Sequence, residues 1–427
     1  MPMPVLSLPM LQKWDCHSCG DCCRSYAIRV TDLESAKIDG QGWDAEADLG
    51  GLPAVVPDGR KGLQLNHRPD GSCVFLNADN TCRIHAKFGA AAKPMACRIY
   101  PFVLVPAGDH WRVALRLACP SAVRNQGRPI ADHQADLDDY AGLLEADAGA
   151  ALSHGAGGLL PPPELAAGQA VPWADLVRFT SAFAGIMADE AEPVEHRLRR
   201  WIALAAVCRT SRFDQTSGTR LEEFLQVVSA AVDDDVPTNP NDVLPPSRAG
   251  RMIFRQFLAV YSRRDSGRHP GIASSGRWTR IRAAWRYAVG RGAVPKLHGL
   301  FPETTFAHAE AAHSPLPAES EALLKRFFLL KLESMQFCGP SHFHRPFWAG
   351  LDALIVTYPV IRWLANVFAA GGRHSMASAV ELAVQQVDDS FGFNPLLAAG
   401  RQAWAIQTLA DRNDLAKLTA WYGRTIR

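Results

Sequence analysis

Cys16-His17-Ser18-Cys19-Gly20-Asp21-Cys22-Cys23 places four thiols in eight residues. Four more follow at Cys73, Cys82, Cys97 and Cys119, while residues 120–427 contain only Cys208 and Cys338. Thiolates bind Zn²⁺ tetrahedrally and hold [2Fe–2S] and [4Fe–4S] clusters. Both uses want ligands two or three residues apart, so that one loop wraps one face of the metal. Cys16-x2-Cys19-x2-Cys22 has that spacing, and Gly20 lets the backbone turn between thiols. Vicinal thiols chelate one ion poorly, so Cys22 and Cys23 face different irons or one of them is not a ligand.

Eight cysteines make two four-thiol sites, or one site with thiols to spare. The spacing Cys73-x8-Cys82-x14-Cys97-x21-Cys119 is too open to define a site alone; set on short strands and turns, it closes over the first loop. His17 and His85 are further candidate ligands, read more simply as solvated histidines or as residues behind the ligands. Zinc and iron–sulfur centres draw on the same thiolates, so spacing leaves the metal open.

The chain has 427 residues, 48% hydrophobic and 21% charged, which excludes global disorder and supplies a core. A formal net charge of +2 sets up no overall field toward nucleic acid or membrane. The segment Met1 to Trp14 is interrupted by Pro2, Pro4 and Pro9 and lacks the basic and apolar regions of a signal peptide. Leu351 to Ala370 is the longest apolar run. It carries Asp352, Pro359, Arg362 and Asn366, costly inside a bilayer, and reads as a buried core helix. A cytoplasmic protein is expected, where thiols stay reduced and clustered cysteines favour metal over disulfides.

The expected fold class is α+β: a small, loop-rich cysteine domain with short strands over 1–125, then a mainly α-helical domain over 126–427. Residues 14–30 are expected to be a loop, and 39–62 a second one. Thr31-Asp32-Leu33-Glu34 matches a capping box and starts a short helix. Ile99–Val105 and His110–Leu117 read as strands around the turn Pro106-Ala107-Gly108-Asp109, with Trp111, Val113, Leu115 and Leu117 alternating. Such a domain of short elements needs staples, which a metal site supplies. Helical spacing predicts helices over 131–152, 173–190, 194–210, 219–233, 248–263, 276–290, 318–336, 347–370, 374–389 and 395–423, the last broken. Loops are expected near 153–172 and 233–247.

Trp14-Asp15-Cys16-x2-Cys19-Gly20-x-Cys22-Cys23 resembles the opening signature of the YkgJ-like cysteine-cluster family, described as zinc- or iron-chelating. Cys73-Val74-Phe75-Leu76, Cys82-Arg83-Ile84-His85 and Lys93-Pro94-Met95-Ala96-Cys97-Arg98-Ile99-Tyr100-Pro101-Phe102 are similar to its further motifs, as is Cys119-Pro120. Lys93 stands where the family usually has arginine; it keeps the charge without the planar fork. The resemblance implies Cys16, Cys19, Cys22, Cys23, Cys73, Cys82, Cys97 and Cys119 as metal ligands. The flagellin lysine-N-methylases (FliB-like) resemble the chain more distantly, through the same cluster and a helical part similar to residues 323–364. That likeness implies a [4Fe–4S] cluster, S-adenosylmethionine as methyl donor and protein lysines as substrate. The alternative is a non-catalytic zinc or iron protein whose metal is structural or serves partner docking.

No catalytic residue is assigned. Gly155-Ala156-Gly157-Gly158 is the only near match to a dinucleotide turn and reads as a linker. Cys19-x3-Cys23 continues to Tyr26, so the radical S-adenosylmethionine spacing is absent. The basic stretch Arg263 to Arg291, with Trp278, Trp285 and Tyr287, reads as a helix with an aromatic core face and a solvated arginine face; neither a nucleic-acid nor a membrane partner is expected. Cys338, His342 and His344 read as a helix end, with Gly339 at C′ and Pro340 after it. Cys208 reads as a core thiol.

Overall fold

The structure is a computed structural model that describes residues 3–59, 62–148, 160–211, 213, 216–263 and 275–426. Residues 153–159 of the linker expected at 153–172, its Gly155–Gly158 run included, and residues 264–274 of the basic stretch lie outside the described residues.

Three small sheets and several single-turn helices make up the first 133 residues. His110–Leu115 is the centre of a three-stranded sheet, antiparallel to Phe102–Ala107 and parallel to Val5–Ser7. The hairpin turns at Gly108, whose φ of +70° is costly for any residue with a Cβ. A second sheet sets Leu63–Leu65 between Arg29–Val30 and Val55–Pro57. Lys13–Trp14 pairs with Arg128–Pro129.

The rest is helical, and the 3.6-residue periodicity placed the helices well. Gln134–Ala148, Trp173–Ala188, Val194–Thr210, Thr219–Asp235, Arg248–Ser262, Arg277–Val289, Ala318–Glu333 and Met376–Ser390 all form. The expected single helix over 347–370 is two, Phe347–Ile355 and Thr357–Ala369. Pro359 has no N–H to donate to Ile355, so the chain restarts at Val356. Together the two make a 23-residue run long and apolar enough to cross a membrane, yet its most apolar 18 residues are buried inside the protein. The last expected helix is broken into Pro395–Ala398, Gly400–Asp411 and Asp414–Gly423.

Among the described residues, two apolar cores result. The large one joins the hairpin (Phe102, Trp111, Val113, Leu115) to helical residues such as Phe183, Trp201, Phe328 and Trp363. Each such fully buried side chain contributes about 1.5–3 kcal/mol. The small one contains Val30, Ile38, Leu49, Leu65, Cys73, Val74, Phe75 and Ile84, with Cys23, Cys82 and Cys97 packed at its edge.

Candidate metal centre

The loop expected at 14–30 is not irregular throughout: Cys22–Ser25 forms one helical turn, with Cys22 its first residue. Gly20 has φ +71°, and a Cβ there would strike the Arg24 guanidinium. Two sets of backbone ties hold this loop. On one side, Asp15 N–H donates to the Gln126 carbonyl at 3.0 Å, and Arg128 N–H donates to the Asp15 carboxylate at 2.9 Å. Gly127 lies so close, at φ +118°, that a Cβ would collide with the Asp15 backbone. This docking carries Cys16 and Cys19 toward Cys119, which caps the Pro120–Val123 turn. On the other side, Cys73 N–H donates to the Cys23 carbonyl at 2.8 Å, and Arg24 donates to Asn80 at 2.5 Å.

The later thiols sit on or beside short elements. Cys82 caps Arg83–Phe88, and Cys97 lies in Met95–Ile99. The predicted capping box forms: Glu34 N–H donates to the Thr31 hydroxyl, and Thr31 N–H donates back to Glu34 Oε2. The other carboxylate oxygen of Glu34 accepts from Met95 N–H at 2.7 Å, so the same side chain seats the turn that carries Cys97.

All eight predicted thiols are thereby brought into electrostatic reach of another. Burial pushes Cys73 up to about 11, with Cys82 and Cys22 adding to the rise. Burial likewise pushes Cys97 up to about 12, and Cys73, Cys82 and Cys22 add to it while Lys93 opposes. Cys22 is driven far above the ordinary thiol range by the Cys23 thiol beside it, 3.9 Å away, and then by burial. Cys19 is raised by burial, then by Cys22 and Cys16 among its neighbours. Cys119 is raised to about 11 by burial, with Cys19 a further contributor. Cys23 itself stands against Cys22. One group thus gathers Cys22, Cys73, Cys82 and Cys97; the other gathers Cys16, Cys19 and Cys119, with Cys22 facing both.

Burial keeps these thiols protonated, and backbone N–H groups aimed at three of the sulfurs partly oppose it. Phe75 N–H donates toward Cys73, Asp21 N–H toward Cys19, and Ser121 and Ala122 N–H toward Cys119. Such N–H···S bonds are one of the means by which proteins tune metal–thiolate centres. The Trp14 indole N–H is buried without a nitrogen or oxygen acceptor and faces the Cys119 thiol. The Lys93 charge acts on both Cys22 and Cys97 and opposes their rise. All ten cysteines are free thiols. Among the described residues, no three His, Cys, Asp or Glu side chains already stand in the geometry of a single-ion site. The donor chemistry fits a soft, thiolate-loving metal; closing a coordination shell requires the sulfurs to draw in and lose their protons.

The remaining candidates are not drawn into the thiol groups. His17 is exposed, with Nδ1 3.1 Å from the Ser121 hydroxyl. His85 is exposed on its helix. Cys208 is buried in the large core. Cys338 is buried too, and His342 stacks on Phe391 with centroids 4.3 Å apart. The Ala318–Glu333 helix stops short of the expected 336, capped by Ser334, and Met335 at φ +58° turns the chain. Gly339 therefore opens a separate short turn over Pro340–His342, not the C′ position of that helix.

Residues missed in the sequence surround the thiols. Tyr26 and Tyr100 lie with ring centroids 5.4 Å apart. Burial, then Tyr26 and Cys119, raise the Tyr100 phenol well above its usual range. Tyr26 donates to Asp389 at 2.7 Å, which also pairs with Arg116 at 2.9 Å. The only sequence signal was position: Tyr26 follows Cys23 by three residues and Tyr100 follows Cys97 by three.

No curated protein matches the chain. No solved structure matches it either. Residues 15–120, which contain every thiol of the centre, match the CxxCxxCC family model, described as "Putative zinc- or iron-chelating domain", and this match supports the cysteine-cluster family for that part of the chain.

Proposed function

We propose that this protein holds iron in its cysteine domain as an iron–sulfur cluster, with [4Fe–4S] the form the thiol supply suits. The observation that carries the reading is the convergence of Cys22, Cys73, Cys82 and Cys97 from four separate segments, each within electrostatic reach of others. When bound, such a cluster supplies electron transfer or a Lewis-acidic iron. The chain's own part is to present thiolates, direct N–H donors at the sulfurs, and place Lys93 to offset their charge. Methyl transfer from S-adenosylmethionine to protein lysines extends this proposal on the strength of the flagellin-methylase resemblance alone, with the helices as lid or substrate surface.

A second reading has its own support. Among the described residues the small core holds eight buried ones, one of them Cys73. Bound zinc or iron at its edge would then serve stability, as small cores commonly require.

The test compares wild type with Cys22→Ser and Cys97→Ser, purified without oxygen. The cluster reading expects both variants to lose iron and sulfide together while the helical content stays. The methylase extension expects S-adenosylmethionine-dependent label on a lysine-containing protein, lost in the same variants. Iron-free protein with zinc retained by wild type overturns the cluster reading and leaves the structural one.

A further inference from the structure

The helix Arg277–Val289 carries an apolar ridge that faces away from the protein. Trp278 is 82% exposed, Ile281 47%, Trp285 63% and Val289 38%. These positions recur at three- and four-residue steps, so they share one face. The buried pair, Ala283 and Tyr287, lies on the opposite face. The expected aromatic core face is therefore only Tyr287, which packs edge-on against Phe306 with centroids 5.3 Å apart. Both tryptophans point outward instead.

The helix is fixed in this pose. Arg255 forks the Glu310 carboxylate with two bonds of 2.7 Å and donates to the Val289 carbonyl at 3.2 Å. Gly290 then ends the helix at φ +66°, where any side chain would strike the Arg255 guanidinium.

Single exposed hydrophobic residues are ordinary, but two indoles and two aliphatic side chains on one turn-aligned ridge are not. The charge around them is one-sided. The helix holds Arg277, Arg280, Arg282 and Arg286 and no Asp or Glu, against a net charge of only +2 for the whole chain. By helical position Arg277 flanks the ridge on one side, and Arg282 and Arg286 on the other.

We infer that this ridge is a docking surface for an anionic lipid bilayer, on which the protein rests peripherally. A helix of 13 residues is about 20 Å long and presents a straight, convex edge. Indoles settle at the headgroup boundary, where the ring is buried and the N–H stays wet. Flanking guanidiniums reach lipid phosphates, the pattern of interfacial amphipathic helices. A nucleic acid would want a basic groove with the aromatics inside it. A convex ridge with its arginines at the margins does not form one. This inference is independent of the metal proposal, since none of these residues lies near the thiols in the sequence or shares their core.

The test is sedimentation of the full-length protein with phosphatidylcholine vesicles, with and without about 30% phosphatidylserine. Binding to the anionic vesicles only, weakening as salt rises from about 0.1 M to about 0.5 M, is expected. Trp278→Ser with Trp285→Ser should lower the partition at least about ten-fold, and Arg277→Gln with Arg282→Gln should remove the preference for anionic lipid. All four side chains are exposed, so circular dichroism and metal content should match wild type in both variants. Absence of sedimentation, or equal sedimentation of the tryptophan variant, overturns the inference. So does retention on single-stranded RNA or an acidic peptide without partition onto anionic vesicles.

Discussion

Lys331 Nζ stands 2.5 Å from Asp388 Oδ1, and neither side chain is exposed to solvent. Lys331 also donates to Gln336 Oε1 at 2.7 Å, and Asp388 Oδ2 accepts from Ala118 N–H at 3.0 Å, one residue before Cys119. Arg116 reaches Asp388 at 3.6 Å and Asp389 at 2.9 Å. The pair thus ties the Met376–Ser390 helix to the strand end that leads into the thiol cluster. Burying two charges costs several kcal/mol, which the pairing offsets only while both partners remain. Lys331→Met should therefore destabilise by about 3–5 kcal/mol in urea unfolding, with much of the loss recovered when Asp388→Leu is added. A single variant as stable as wild type contradicts this picture.

Glu34 serves the Thr31 cap and the Met95 N–H at once. Replacing it by alanine leaves two backbone donors without acceptors. The expected cost is about 1–2 kcal/mol in thermal unfolding of the cysteine region. Metal retention should fall with it, because the turn bearing Cys97 loses its anchor. Glu34→Gln, which keeps an acceptor oxygen, should lie between. Full metal content in the alanine variant would show that Cys97 is seated by something else.

Burial, then the Arg345 and Lys331 cations, pull His342 down to about 3. An unfolded histidine takes up its proton near about 6.5, so the unfolded chain binds more protons between those values. The stability from His342 is complete above about 6.5 and is lost as pH falls toward about 3, by about 1.4 kcal/mol per unit. Asp352 runs the other way: burial raises it to about 6 despite Arg209 at 2.7 Å, so its contribution is lost as pH rises through that value. Comparing wild type with His342→Phe isolates the histidine. The variant should gain on wild type between pH about 6.5 and about 4; parallel pH curves would rule the assignment out.

The small core predicts a local response to metal removal. A chelator should expose the segment between Cys16 and Cys97 to proteolysis while the helices survive, since the large core contains none of its apolar residues. Simultaneous loss of both regions would mean that they unfold as one unit.

The helices were legible because each carries a one-sided apolar period, and the Thr31–Glu34 box because its signal is local. The hairpin was legible through the alternation of His110–Leu115 and the Gly108 turn, but its first strand was placed at Ile99–Val105 and runs over Phe102–Ala107, because Ile99 closes the helical turn that carries Cys97. The split at Val356 was also written in the sequence, in Pro359, but was overridden by the length of the apolar run. Val5–Ser7 was not legible, because its pairing with His110–Leu115 spans a hundred residues. The outward face of Trp278 and Trp285 was misread for a related reason: a helix with apolar residues on two faces does not say which one the body covers. The thiols were visible as a set, but their grouping depends on long-range ties such as Cys73 to the Cys23 carbonyl. Lys331 and Asp388 carried no local signal of their pairing.

The account stands most directly on the metal content of protein purified without oxygen. Quantifying iron, acid-labile sulfide and zinc, with the absorption spectrum, decides it. Iron and sulfide in equal amounts with a broad band near about 400 nm, lost in Cys22→Ser, is the predicted result. A colourless protein carrying zinc at full occupancy, or no metal at all, would contradict it.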